Sequence, residues 1–378
     1  MDGLTDPLDI EIAKKRSADA VLPTSAGLDR LPKGYAARCD PERRAALVES
    51  GGGSKESEAA VDAALKWLIN HQLPDGGWSI DLAACPNCNG KCSNSGRNGD
   101  DRSAATALAL LPFLGRGYTH KDGPYKRELE KGIGFLAALA ARGNGKTYDR
   151  GTMYSQGLAG IALAEAYGMT KDRRLGPPTQ LALNYIMEAQ DPRSGSWGYA
   201  PKQTGDTSIT GWNLVALLTG ADAKLQANPA VVTKVSQFLD AVQLEGGAAY
   251  CYRADFRRIT SGPTAIGLLC RLRLGWKADH PGIKQGAAAI AARGPSRDIY
   301  RDYYANQVMY RVGGQTWADW NRKLHDAVVR GQDKAGHQAG SWYDSLTEGM
   351  SDDVGGRLFC TSLAALVLEN YYRSPPER

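Results

Sequence analysis

The sequence predicts an all-α protein, a single (α/α)6 toroid of six helical hairpins. Three observations carry that expectation. A twelve-residue apolar segment recurs six times, and its first five copies end in glycine, the residue best suited to the left-handed turn that closes a helix. A second helical pattern precedes every copy. Runs that alternate apolar and polar residues, the mark of half-buried strands, are almost absent.

The hairpins follow in order. "SEAAVDAALKWLINHQ" (57–72) precedes "AATALALLPFLG" (104–115), and "ELEKGIGFLAALA" (128–140) precedes "GLAGIALAEAYG" (157–168). "PTQLALNYIMEAQ" (178–190) leads to "ITGWNLVALLTG" (209–220), and "VVTKVSQFLDAVQ" (231–243) to "TAIGLLCRLRLG" (264–275). The last two pairs are "GIKQGAAAIAARG" (282–294) with "DYYANQVMYRVG" (302–313) and "WADWNRKLHDAVVRGQ" (317–332) with "TSLAALVLENYY" (361–372). Start-to-start spacings of 53, 52, 55, 38 and 59 leave room for two helices and their loops. The second member of each pair is apolar nearly all round, as an inner helix must be. The first is striped, with charge on one face, as suits an outer layer.

A signature closes the outer helices. It reads Ala64, Trp67, Leu68, Gln72, Gly76, Trp78 near the first, and Ala182, Tyr185, Ile186, Gln190, Gly195, Trp197 near the third. The fourth keeps Phe238, Leu239 and Gln243, with Tyr250 where the tryptophan would stand; the sixth ends Gln332, Gly340, Trp342. A glutamine can satisfy the free carbonyls of a helix end while an indole covers its apolar stem, so these residues are expected to be scaffold. The pattern resembles the QW repeat of the terpene cyclase and protein prenyltransferase superfamily, as in squalene-hopene cyclases, over residues 56 to 373. "GDTSITGWNLVALLTG" and "GGRLFCTSLAALVLENYYR" are also similar to bacterial squalene-cyclase-like repeat proteins.

That resemblance implies an isoprenoid cyclase, an isomerase in which an aspartic acid protonates an alkene to begin class II cyclisation. By position in "NGDDRSAAT", Asp100 would be the proton donor with Asp101 beside it; Asn98 and Arg102 replace an aspartate and a threonine usual in the motif. Arg102 would favour the ionised carboxylates, the wrong direction for protonating carbon. Capping is the favoured reading of this pair, because acids at a helix start satisfy free N–H groups and the macrodipole. Asp206, Asp302 and the pair Asp352–Asp353 also stand near starts of inner segments, which again suits caps. A carbocation needs aromatic faces, and Tyr154, Trp212, Tyr250, Tyr252, Tyr303 and Tyr304 are the candidates, with core filling as the favoured alternative.

"CPNCNGKC" brings Cys85, Cys88 and Cys92 together as candidate ligands of a zinc cofactor. Cys39, Asp81 or an acid of the next loop could complete the site. A small disulfide loop or plain thiols are the competing readings. His325 and His337 are expected on solvated surface, and Cys251, Cys270 and Cys360 in the core.

Composition narrows the remaining choices. Of 378 residues, 42% are apolar and 23% charged, with a net charge of +5 and no Lys/Arg run, which disfavours a nucleic-acid partner. No stretch is apolar enough for a membrane span, and "MDGLTDPLDIEIAKKRS" has no apolar leader core, so a cytoplasmic location is expected. Residues 1–55 read as a flexible N-terminal arm and 374–378 as a tail. The resemblance implies an apolar isoprenoid-like small molecule as partner, with peripheral membrane contact. Two other functions stand beside it: a non-catalytic scaffold holding a peptide, lipid or glycan, and a carbohydrate-active enzyme with two facing carboxylates.

Overall fold

The computed structural model describes residues 35, 38–346 and 350–373. Helix α1 spans Pro41–Gly51. Six outer–inner pairs follow: α2 (Lys55–Asn70) with α3 (Arg102–Gly115), α4 (Lys126–Arg142) with α5 (Met153–Thr170), α6 (Gly176–Ala189) with α7 (Thr207–Asp222), α8 (Pro229–Val242) with α9 (Ser261–Arg273), α10 (Pro281–Arg293) with α11 (Ile299–Val312), and α12 (Gly314–Gly331) with α13 (Met350–Leu368). A last turn, α14, covers Asn370–Arg373. Each inner helix packs on the next, and α13 packs back on α3, so the ring closes. This is the expected (α/α)6 toroid.

Local chemistry starts these helices where they start. Ser54 and Ser57 form a capping box on α2, and Thr152 and Ser155 form another on α5. Asp206 caps α7 through the N–H groups of Ser208 and Ile209. Proline stands in the first turn of α1, α8 and α10, where its missing N–H costs nothing. In α3 every residue from Ser103 to Gly115 is buried, whereas α4 and α12 bury one face only.

The Gln–Gly–Trp signature has one geometry wherever it is complete. The indole N–H of Trp78 donates to Leu68 O, that of Trp197 to Ile186 O and that of Trp342 to Val328 O, each at 2.7 Å. Gln72, Gln190 and Gln332 each donate twice through Nε2, once to the motif glycine or its equivalent (Gly76, Gly195, Gly340) and once to a neighbouring outer helix (Glu128, Val231, Ala60). The bond from Gln332 to Ala60, 2.8 Å, joins the sixth outer helix to the first. Gly195 has φ +74, and a Cβ there would lie 2.2 Å from Lys234 O, so only glycine lets the turn seat on the next helix. A further element was not read from the sequence: the motif's backbone N–H donates to an inner-helix threonine, Trp78 to Thr106, Trp197 to Thr210, Tyr250 to Thr264 and Trp342 to Thr361.

Three features differ from the sequence expectations. A small antiparallel sheet, β1 (Gln243–Leu244), β2 (Ala249–Arg253) and β3 (Phe256–Ile259), precedes α9 in the order β1-β2-β3. Its strands are too short for alternation to stand out. Helix α13 begins well before residue 361 and breaks at Gly356 (φ 60), where a Cβ would lie 2.2 Å from Gly96 N. The arm expected over 1–55 contains α1, which packs on α14, and the Trp317 indole donates to Gly51 O at 3.0 Å. Tyr35 and Arg38 are buried too. Residues 1–34 and the tail 374–378 lie outside the described residues. Among the described residues no helix is long and apolar enough to cross a membrane.

Candidate functional site at the mouth of the ring

The inner helices begin at one end of the ring, and the loops leading into them form its mouth. There the two adjacent aspartates part company. Asp101 is buried at the N-cap of α3, accepts from Ala104 N at 3.1 Å and receives the Ser155 hydroxyl at 2.5 Å. Burial raises its pKa, against the pull of those two bonds. Asp100 has its side chain 72% exposed and meets Arg150 at 3.4 Å. Of the two, Asp101 is thus the buried acid, and Asp100 sits in water. The Arg102 guanidinium, expected beside this pair, turns away to Asp75 (2.8 Å) and Trp78 O.

A second buried acid stands across α5. Asp206 accepts the Tyr252 hydroxyl at 2.8 Å, and burial raises its pKa likewise. Tyr252 in turn lies 3.4 Å, hydroxyl to hydroxyl, from Tyr199, whose ring is 5.9 Å from that of Tyr154. Tyr199 is 51% exposed. It was not anticipated from the sequence, because nothing in "SWGYAPKQ" distinguishes a rim tyrosine from a loop one. The other large exposed apolar side chains among the described residues, Phe256, Ile259 and Val354, also lie on segments entering inner helices. At the start of α11, Asp302 is buried beside Arg301 at 2.7 Å; burial outweighs the arginine and pushes it up to about 7.

Deeper in, the candidate aromatics fill the ring. Trp212 stacks on Tyr303 at 5.7 Å and meets Tyr304 edge-on at 5.4 Å, and all three are buried. Tyr250 is also core: it takes the tryptophan's place in the fourth repeat, and its hydroxyl accepts from Arg271 Nε at 3.2 Å. Of the six candidates, Tyr154 and Tyr252 alone stay partly accessible.

The cysteine loop divides. Cys85 donates its thiol to Asn70 O at 3.6 Å. Cys88 and Cys92 instead group with His71 and His337, ligand atoms all within 4.8 Å of one another. His337 is therefore half-buried in a cluster, not on solvated surface. Cys251, Cys270 and Cys360 are core residues, as expected.

Buried charges meet at the far end of the ring. Arg38 and Arg373 both bind Glu165, at 2.9 and 2.7 Å, and Arg38 also donates to Arg373 O. Beside them Glu369 is fully buried, and among the described residues neither carboxyl oxygen has a hydrogen-bond partner. Burial holds its pKa well above the ordinary carboxylate value, although Arg373 and Arg116 pull it down. The folded protein therefore retains a proton that the unfolded chain sheds. The stability this proton contributes is full below the unfolded pKa and declines as pH climbs toward the folded one. Glu369→Gln is expected to unfold like wild type near pH 4 and to gain about 1–3 kcal/mol over it by pH 8. Urea melts of both proteins at the two pH values check this, and a pH-independent difference would contradict it.

No protein-family model matches the chain, and no curated protein matches it. Solved structures do. An α-1,6-mannanase of Salegentibacter sp., solved as an inactive variant with two consecutive aspartates replaced and α-1,6-mannotriose bound, superposes with a TM-score of 0.58 at 11% identity, over 84% of this chain and 99% of its own. The type II terpene cyclase MstE of Scytonema, bound to geranylgeranyl dihydroxybenzoate, gives 0.56 at 14% identity, over 84% and 96%. A glycoside hydrolase family 76 mannosidase of Bacteroides thetaiotaomicron gives 0.55 at 10%, over 85% and 98%. These likenesses establish the toroid fold, shared by terpene cyclases and carbohydrate-active enzymes.

Proposed function

We propose that this toroid is a ligand-binding protein whose mouth holds a glycan. The observation that carries the proposal is Tyr199: an exposed ring at the rim, its hydroxyl linked through Tyr252 to the buried carboxyl of Asp206. An open aromatic face beside hydroxyls and a carboxyl group suits the apolar face and polar edges of a sugar ring. The packing of Trp212, Tyr303 and Tyr304 on one another supports a ligand position at the mouth over one deep in the lumen. That the toroid of the mannanase holds a mannotriose agrees with this reading.

A second reading, isoprenoid cyclisation, is favoured by different residues. Asp101 is buried, has a raised pKa and is held by Ser155, as a carbon-protonating acid would be, while Phe256, Ile259 and Val354 expose apolar side chains on segments entering inner helices. In this reading Asp101, not Asp100, is the acid.

Calorimetric titration with α-1,6-mannotriose and a panel of neutral and acidic oligosaccharides tests the proposal. Binding is expected for at least one, weakened about tenfold or more by Tyr199→Ala, roughly 1.4 kcal/mol. Absence of any glycan binding overturns it. Cyclic product from squalene or geranylgeranyl dihydroxybenzoate, abolished in Asp101→Asn, would establish the second reading instead.

A further inference from the structure

We propose that His71, Cys88, Cys92 and His337 form a structural zinc site that clasps the first hairpin of the ring to the sixth. His71 follows the last residue of α2, Cys88 and Cys92 lie in the loop between α2 and α3, and His337 lies in the loop between α12 and α13. The ligands thus come from both sides of the seam where the ring closes.

The ligand spacing suits a tetrahedral centre. Zinc–sulfur bonds of about 2.3 Å and zinc–nitrogen bonds of about 2.0 Å put neighbouring ligand atoms about 3.3–3.8 Å apart. Cys92 Sγ is 3.4 Å from His71 Nε2 and 3.2 Å from His337 Nδ1. The four ligand atoms lie within 4.8 Å of one another, close enough for a small inward shift to place all of them on one ion.

The surroundings of His71 and of the cysteine turn fit this role. His71 Nδ1 is 2.7 Å from Trp67 O; a proton held there leaves the Nε2 lone pair facing the sulfur. A carbonyl that orients an imidazole in this way is the usual second support of a metal-bound histidine. The Trp67 ring lies 4.0 Å from that of His71, and its indole N–H is buried without a conventional hydrogen-bond partner among the described residues. The turn is shaped for the purpose: Asn89 (φ 45) and Gly90 (φ 73) bend the chain, and Lys91 N donates to Cys88 O at 2.9 Å. On binding, Cys88 and Cys92 each release a thiol proton to solvent, and two thiolates neutralise the divalent ion.

Four protein ligands leave no open position, so the role is structural. Zinc is favoured over harder cations by the sulfur and imidazole donors. Cys85, the third cysteine of the loop, takes no part.

The test uses the full chain, purified, stripped with chelator and reloaded with zinc. Elemental analysis is expected to give one zinc per molecule in wild type and in Cys85→Ser, and a loss of most of it in Cys88→Ser and His337→Ala. Cobalt replacement reads the ligand set without any substitution: intense visible bands of a tetrahedral ion, with sulfur-to-cobalt charge transfer, are expected. Chelation should lower the melting temperature by more than about 5 °C, restored by zinc. Wild type that takes up neither zinc nor cobalt overturns the site, as does a Cys88–Cys92 disulfide in protein purified without reductant, seen as a mass 2 Da lower. Retention of zinc by folded His337→Ala together with its loss from Cys85→Ser would overturn this ligand set.

Discussion

Arg357→Ala is expected to destabilise the protein by about 3–5 kcal/mol, the cost of leaving one side of a buried ionic network without its partner. The guanidinium is wholly buried just past the break in α13. It pairs with Asp333 and donates to Ser341 Oγ (2.9 Å), Ser93 O (3.1 Å) and Asn94 Oδ1 (3.2 Å). Those partners belong to the cysteine loop of the first hairpin and to the loop of the sixth, so one side chain stitches the seam. Arg357→Lys should recover only part of the loss, because an ammonium lacks the planar fork that reaches four acceptors at once. Urea unfolding of the three proteins measures both effects. A loss under about 1 kcal/mol in Arg357→Ala would mean that the seam is held by something else.

Trp197→Ala should cost a similar amount, about 3–5 kcal/mol. The indole is fully buried, its N–H satisfies Ile186 O at 2.7 Å, and its backbone N–H is held by Thr210. Truncation leaves a cavity between the outer and inner layers and an unpaired carbonyl at the end of α6, and the two losses add. The expected reading is a lower urea midpoint with an unchanged slope, since the same surface is exposed on unfolding. Tyr199→Ala serves as the comparison: with its ring already half in water it should change stability by less than about 1 kcal/mol. Equal losses for the two variants would contradict the assignment of scaffold to Trp197 and ligand surface to Tyr199.

The hairpins could be read from the chain because inner helices such as 209–220 are apolar on every face, which few other structures tolerate. The signature residues were equally readable, since the spacing from Gln190 to Trp197 fixes a turn. What escaped was contact between distant segments. His71 and His337 are separated by the whole ring, and nothing local in "NHQLP" or "AGHQAG" says that they meet. The choice between Asp100 and Asp101 hung on a single residue of register at the start of α3, and caps of that kind are not resolved by pattern. Helix α1 was hidden by its charge and flanking glycines, although Asp40 followed by Pro41 is a legible start in hindsight. Trp212, Tyr303 and Tyr304 pack ring against ring, and composition cannot say whether an aromatic faces a void or another ring.

Arg38, Glu165 and Arg373 join the segment before α1, the inner helix α5 and the last turn α14 in one buried ionic knot. Both ends of the described fold are thereby fastened to its inner wall, and fraying at either one must first part a charge pair held out of water.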